Sequence, residues 1–222
     1  MRRIFRLVML VCCALGPGRD ALADDSGWRP LFNGKDLTGW RANLQPESFK
    51  VVDGAIRVQA QGKFAAHLFF VGAAKEGFER FTNFELEATV RGEPDSNAGI
   101  FIHTDESTRD AKKHLATGYE VQLNSSAKER RKTGSLYAVV DLDKSPVDET
   151  NWFKIKVAVR GKRITVFVNE EKVVDYVEPD DVKRPPERAG RRLRPEGGAI
   201  ALQAHDPESV FYFKDVRVRP LP

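Results

Sequence analysis

The chain has 222 residues, of which 36 are Lys or Arg and 32 are Asp or Glu, and its formal net charge is +4. Four arginines but only one acidic residue lie in the first 23 residues, so the remaining 199 residues hold 32 basic and 31 acidic side chains. A nearly neutral body gives no electrostatic reason to expect a nucleic-acid partner. Both cysteines, Cys12 and Cys13, also lie in the first segment, which excludes a disulfide or a thiolate nucleophile from the rest of the chain.

Residues 1–23 have the three parts of a secretory signal peptide. A cationic start with three arginines precedes a short apolar run, and Ala21 and Ala23 provide the small residues of a cleavage site. An apolar run this short does not span ~30 Å of hydrocarbon as a helix, so we expect no stable membrane insertion. The sequence therefore predicts export to the periplasm or the extracellular space after cleavage near Ala23. Lipidation at Cys12 or Cys13 is the alternative, although the residues before them make a poor lipidation signal.

Residues 24–222 have the length of a single β domain and show no internal repeat. From residue 49 onward, short runs of alternating apolar and polar residues recur between turn residues, which is typical of β sandwiches and barrels. We therefore predict an all-β domain, a jelly-roll sandwich of two antiparallel sheets. The predicted strands are 49–52, 55–58, 84–91, 99–104, 118–124, 135–140, 153–160, 163–168, 172–177, 199–204 and 210–219.

Three short turns join neighbouring predicted strands. Asp53-Gly54 and residues 161–162 have the residue types that two-residue hairpin turns favour. The third turn has Glu170 where glycine is usual. Since a positive φ costs a non-glycine residue about 1 kcal/mol, we expect a different turn type at this position.

Two longer stretches lack the strand pattern. Residues 105–117 carry several charges and are predicted to form a long loop or a short helix. Residues 178–197 are rich in Arg and Pro, and a loop of this length is usually functional or disordered. The sequence leaves open whether this second loop is solvated or borders a ligand site.

Three of the predicted strands carry short hydrogen-bonding side chains on one face, because alternate residues of a strand share a face. If the three strands belong to one sheet, these side chains form a polar patch suited to sugar hydroxyls. The alternative is an ordinary exposed face, although such faces carry mainly long cations such as Lys154 and Lys156. His67 and His114 are predicted to be surface or loop histidines. The polar set consists of Glu120, Gln122 and Asn124 on one strand, His103 on another, and Gln203 and His205 on the third.

Most motifs that carry chemistry are missing from the sequence. There is no phosphate-binding glycine loop, no nucleophile elbow and no His or Cys spacing typical of a transition-metal site, so no metal ligand is predicted. Glu85 and Glu87 share a strand face, as paired carboxylates do in some sandwich glycosidases. No third acid follows them, so this indication is weak.

A series of short segments resembles the 3-keto-disaccharide hydrolase family. Residues 31–40, LFNGKDLTGW, resemble the opening signature of that family. Two departures are Ala98, where many members have Ser, and His103, where many have Arg. The other matching segments follow in order at 97–103 (NAGIFIH), 118–122 (GYEVQ), 133–137 (TGSLY), 151–153 (NWF), 201–206 (ALQAHD) and 213–216 (FKDV).

The resemblance implies a concanavalin-like jelly roll that cleaves glycosides already oxidised to a ketone at C3. The ketone acidifies the C2 proton, so a base can remove it, the C1 substituent can leave, and water can then add to the enone. On this resemblance Glu120 is the expected base, and His205 the acid or the donor to the enolate oxygen. A bound divalent cation could fill that last role, and the sequence does not decide. The expected substrate-binding residues are Gln122, Gln203, His103, Asn124 and Tyr137.

Two other functions remain open at this point. A non-catalytic carbohydrate-binding module would use the same polar face without proton transfer. A conventional retaining glycosidase would use Glu85 and Glu87, with carboxyl groups ~5 Å apart. In each case the expected partner is a carbohydrate.

Overall fold

The computed structural model describes residues 27–74 and 76–222, so the predicted signal peptide lies outside the described residues. Over these ranges the chain forms thirteen strands and two single-turn 3-10 helices, at Pro46–Ser48 and Pro186–Arg188. The strands are β1 (Arg29–Pro30), β2 (Trp40–Ala42), β3 (Phe49–Val52), β4 (Ala55–Val58), β5 (Ala66–Phe70), β6 (Phe84–Gly92), β7 (Asn97–Thr104), β8 (Tyr119–Asn124), β9 (Phe153–Arg160), β10 (Arg163–Val168), β11 (Glu171–Val177), β12 (Ala199–Ala204) and β13 (Phe211–Pro220).

The strands form two antiparallel sheets, which confirms the predicted all-β sandwich. The larger sheet has the order β11-β10-β9-β6-β13-β4-β3, with β1 added against β13, and the smaller sheet has the order β2-β5-β12-β7-β8. Alternate apolar residues from each sheet meet in the core, among them Phe84 and Phe213 from the larger sheet and Ile100 and Tyr119 from the smaller one. No helix among the described residues has the length and hydrophobicity to cross a membrane.

The opening segment at residues 31–40 closes one edge of this core. Leu31 and Trp40 are buried, and the Trp40 indole nitrogen donates a hydrogen bond of 2.7 Å to the Leu31 carbonyl. Between them Asn33 and Asp36 fix a turn, since the Asn33 side-chain oxygen accepts from the backbone N–H of Asp36 at 2.9 Å. This segment therefore has a structural role.

One predicted strand is wrong and three strands were not predicted. Residues 135–140 form tight turns with single bridges from Leu136 to Val121 and Val140, and Ala138 has a positive φ of 59°. Leu136 is buried in the core and Val139 and Val140 pack against it, which accounts for the apolar residues of this segment. The missed strands β1 and β2 are only two and three residues long. β5 is buried on both faces, so it lacks polar alternation.

The hairpin turn between β10 and β11 has the backbone conformation that its residue types disfavour. Asn169 and Glu170 have φ values of 45° and 72°, as in a type I′ turn with both central residues left-handed. The expected change of turn type is therefore wrong. The register on either side, with Val168 opposite Glu171, requires this tight connection.

The outer face of the smaller sheet is where the predicted polar residues meet. β12, β7 and β8 are neighbours, and their apolar residues point into the core as predicted. Every residue of these three strands is nevertheless buried, because the 105–117 and 178–197 loops cover the outer face. The two loops pack closely, since a Cβ at Gly190 would lie 2.5 Å from the Ala116 carbonyl oxygen. Residues 178–197 thus pack on this face.

Candidate functional site

A narrow polar hollow of about 60 Å³ lies between the smaller sheet and the covering loops. Five of the predicted site residues line it: Glu120, Gln122, Tyr137, Gln203 and His205. The lining is completed by Asn97, Arg109, His114 and Glu129, which the sequence did not single out.

Glu120 projects from β8 across the neighbouring strand β7. Its side chain is able to lie there because β7 has glycine at position 99, where an added Cβ would be 2.8 Å from Glu120 Oε1. The other carboxylate oxygen, Oε2, accepts a hydrogen bond of 3.2 Å from Arg191 Nη2. The two side chains form an ion pair that is 2% and 7% exposed. A buried carboxylate thus faces the hollow with a charged partner beside it.

Arg191 comes from the Arg- and Pro-rich loop and inserts beneath it. Its guanidinium lies over the Phe101 ring, 5.2 Å from the ring centroid. Burial lowers the pKa of Arg191, and the Glu120 carboxylate acts in the opposite direction. Arg191 Nη2 donates to Glu120, whereas Nε and Nη1 have no hydrogen-bond partner. No pattern in the sequence distinguishes Arg191 from the other arginines of this loop.

Two glutamine amides each present a free oxygen. Gln122 donates from Nε2 to the Asn97 side-chain oxygen at 3.0 Å, and its own Oε1 has no partner. Gln203 lies with Nε2 3.4 Å from His67 Nε2, and its Oε1 is also without a partner. Buried polar atoms are normally hydrogen-bonded, so these two acceptors need a partner that the described side chains do not supply.

His67 is not the surface or loop histidine that was predicted. It lies in β5 opposite Gln203, is fully buried, and meets the Phe101 ring edge-on at 5.2 Å. Burial, and then the positive charges of His114, Arg191 and His205, lower the pKa of His67 to about 3. The ring is therefore neutral near pH 7. With Nε2 accepting from Gln203, Nδ1 carries the proton, and that atom has no partner.

Two histidines at the mouth of the hollow are each held by an aspartate. His205 Nδ1 lies 2.7 Å from Asp206, and His114 Nδ1 lies 2.8 Å from Asp110. The hydrogen bond with His205 lowers the pKa of Asp206 to about 2 and keeps it ionised. Each aspartate fixes its ring, so that Nε2 is left for other contacts. His114 was predicted as a surface or loop residue; it does lie in the 105–117 loop, but that loop folds over the site.

A second cavity of about 230 Å³ lies beside the hollow. The two spaces share Asn97, Glu129 and His205. The outer cavity is further lined by Asp95, Ser126, Lys128, Asp206, Glu208 and Ser209. His205 therefore lies at the boundary between a narrow inner space and a wider outer one.

Two predicted substrate-binding residues do not line the hollow. His103 has a positive φ of 52° at a β-bulge, which breaks the alternation and turns the ring away from Phe101. Its Nε2 bonds the Thr82 carbonyl at 2.9 Å, so the expected shared face is wrong. Asn124 does lie on the predicted face, but its amide nitrogen donates to the carbonyls of Glu129 and Arg131 at 2.7 and 2.8 Å. It holds the loop after β8 in place.

The carboxylate pair of the glycosidase alternative lies on the opposite side of the molecule. Glu87 pairs with Arg217, and it borders a cavity of about 460 Å³ on the larger sheet. Glu85 pairs with Arg160 and Arg219. Burial acts to raise the pKa of Glu85, but hydrogen bonds from the two arginines outweigh it and lower that pKa. A catalytic acid needs a raised pKa, so Glu85 does not fit that role.

The side chains that commonly bind metal ions are not grouped together in the described residues. No group of three or more His, Cys, Asp or Glu side chains within 27–74 and 76–222 is arranged to hold an ion.

Residues 27–219 match the family model of the 3-keto-α-glucoside 1,2-lyase-like domain. The chain belongs to this family. The match includes every strand and both covering loops, and the family's name supports a carbohydrate-active, hydrolase-like role. A search of curated proteins finds no sequence match.

Solved structures share the fold of this family member. A candidate glycosyl hydrolase from Parabacteroides distasonis is 24% identical, with a TM-score of 0.72, over 88% of this chain and 94% of that one. A carbohydrate-binding module from Bacillus subtilis is 13% identical, with a TM-score of 0.52, over 82% and 95%. The exoplasmic domain of VIP36, in a form with Ca²⁺ and a glycan, is 11% identical, with a TM-score of 0.56, over 88% and 89%. These similarities establish the jelly-roll architecture.

Proposed function

We propose that this protein cleaves glycosides or disaccharides that carry a ketone at C3, by removing the proton at C2. Glu120 takes the C2 proton, and the electrons of the C–H bond form an enolate with its negative charge on the C3 oxygen. The enolate then collapses, the C1–O bond breaks, and His205 gives its proton to the departing oxygen. Addition of water to the resulting enone completes hydrolysis, whereas release of the enone makes the reaction a lyase reaction.

The observation that carries this proposal is the convergence of Glu120, Gln122, Gln203 and His205 on one hollow. Each unpaired buried polar atom costs about 1–3 kcal/mol, so the free amide oxygens of the two glutamines favour a ligand that donates hydrogen bonds. Sugar hydroxyls have this property. Family membership supports the choice of an oxidised sugar over an ordinary one.

The shape of the two cavities supports a substrate position in which the bond to be cleaved lies beside His205. The inner hollow of about 60 Å³ is small, but together with the outer cavity of about 230 Å³ the space approaches the ~300–1,000 Å³ of usual ligand sites. We place the oxidised ring toward the inner space and the leaving group in the outer cavity. His205 then stands beside the bond that breaks.

The test is to incubate the protein with a 3-keto-disaccharide and with its unoxidised parent, with and without a chelator, and to follow the released sugar. We expect cleavage of the 3-keto compound alone. Glu120→Gln should reduce turnover by about 10²- to 10⁴-fold while binding persists, because the variant loses the base but keeps the shape of the side chain. Glu149→Gln is the matched control, since Glu149 is also buried but lies outside the hollow.

Cleavage of the parent sugar alone would contradict the proposal and favour a conventional glycosidase. Binding of either sugar without any cleavage would favour a carbohydrate-binding module. If the chelator abolished cleavage, the enolate would be stabilised by a cation, and the role of the described side chains would have to be revised.

A further inference from the structure

We propose that Arg191 is a catalytic residue that stabilises the enolate oxygen at C3. This inference rests on the proposed function and assigns its missing part, the group that receives the developing negative charge. In the proposed function Glu120 is the base and His205 is the acid. The group that stabilises the enolate oxygen is therefore a third residue.

The Arg191 guanidinium is buried. The side chain is 2% exposed, and its Nε and Nη1 atoms have no hydrogen-bond partner. A buried cation is costly unless it is paired and hydrogen-bonded, and Glu120 satisfies only Nη2. Nε and Nη1 thus have no hydrogen-bond partner among the described residues, and an anionic oxygen bound beside Glu120 would supply one.

Buried donors without a hydrogen-bond partner outnumber such acceptors around the site. Besides the two Arg191 atoms, His67 Nδ1 has no hydrogen-bond partner, and Arg109 Nε has only the Asp110 carboxylate at 3.8 Å. The acceptors without a partner are the side-chain oxygens of Gln122 and Gln203. More donors than acceptors favour a ligand with oxygens that accept. A carbonyl that becomes an enolate accepts with increasing strength as its charge develops.

His205, Glu120 and Arg191 follow one another in that order along the site. His205 lies at the boundary with the outer cavity, Glu120 lies inside the hollow, and Arg191 contacts Glu120 from beneath the loop. The substrate requires the same order, with an acid at C1, a base at C2 and an oxygen-binding group at C3. Adjacent groups of the protein thus correspond to adjacent carbons of the sugar.

A negative charge stays next to Arg191 throughout the proton transfer. Before the step, Arg191 faces the Glu120 carboxylate at 3.2 Å. When Glu120 takes the C2 proton it becomes neutral, and the negative charge moves to the enolate oxygen. Arg191 is next to an anion in both states, so the site needs no rearrangement of charge beyond the reaction itself.

The experiment compares wild type, Arg191→Ala and Arg191→Lys on a 3-keto-disaccharide, with kcat and KM measured separately. Loss of one oxyanion donor typically lowers kcat by about 10²- to 10³-fold, and we expect this for Arg191→Ala with a smaller change in KM. Added guanidinium at millimolar concentration should restore about tenfold of the lost rate in Arg191→Ala. Arg192→Ala is the matched control, because its exposed neighbour Arg192 donates to the Ala189 carbonyl instead of to Glu120, and it should keep normal activity.

Each outcome is decisive for the inference. Activity of Arg191→Ala within about threefold of wild type would overturn it. A folded but slow Arg191→Ala without rescue by guanidinium would show a structural role only, which also overturns it. If Arg191→Ala does not fold, Arg191→Lys serves instead: lowered kcat with substrate binding retained supports the inference, and an unchanged kcat refutes it. Wild type that does not cleave the 3-keto substrate would instead refute the proposed function, so the two failures are distinguishable.

Discussion

His67 shows how burial of a single residue links the stability of the fold to the site. It is fully buried between the Phe101 ring and the Gln203 amide, and its pKa is lowered to about 3 from an ordinary value of 6.5. The unfolded chain therefore binds a proton at this histidine below about pH 6.5, whereas the folded chain does not until about pH 3. Folding stability must fall as the pH decreases through this range.

The first stability prediction concerns that pH dependence. Between about pH 6 and pH 4, His67 should contribute a loss of about 1.4 kcal/mol in unfolding free energy for each pH unit. His67→Gln cannot titrate, so its stability should depend less steeply on pH than that of wild type. Urea denaturation of both proteins at several pH values measures the difference. Parallel curves for the two proteins would show that His67 is protonated in the fold.

The sequence predicted the orientation of single side chains correctly where they lie in regular strands. Glu120, Gln122 and Gln203 were found because strand alternation fixes which face a side chain takes. His103 was misplaced because a β-bulge, which inserts an unpaired residue, changes that alternation without a clear sign in the sequence. The burial of Arg191 was not predicted, because a loop has no periodicity and the burial of one arginine among several depends on tertiary packing.

At the scale of elements, the hairpin between β10 and β11 stores identifiable strain. Glu170 occupies the left-handed region with φ 72°, where a side chain is unfavourable. The pairing of β9, β10 and β11 in the larger sheet outweighs this local cost. The sequence predicted the position of the turn, but propensity alone pointed to the wrong type.

The second stability prediction follows from this turn. Glu170→Gly should raise the free energy of unfolding by about 0.5–1 kcal/mol, because glycine adopts a positive φ without steric cost. Glu171→Gly is the control: this residue begins strand β11, where glycine should lower stability by a similar amount. Chemical denaturation measures both. A destabilised Glu170→Gly would mean that the Glu170 side chain makes a favourable contact that exceeds the backbone strain.

At the scale of the whole molecule, two layers of sheet form a support and two loops complete the site. The alternating pattern was sufficient to predict the sandwich, since it determines which faces are buried. It did not predict that the 105–117 and 178–197 loops cover the smaller sheet. That cover depends on close contacts such as the hydrogen bond of 3.0 Å from the Gly118 N–H to the Gly190 carbonyl. The loops convert an outward polar face into a buried hollow.

The central claim is that cleavage proceeds through removal of the C2 proton, and NMR of the reaction in D₂O tests it most directly. We expect every cleaved sugar to have lost its original C2 proton, either to deuterium after hydration or altogether in an enone product. Substrate kept in D₂O with Glu120→Gln should retain that proton apart from the uncatalysed exchange. Released sugar that keeps its C2 proton at the rate of full cleavage would contradict the account, because the C1–O bond would then break without an enolate.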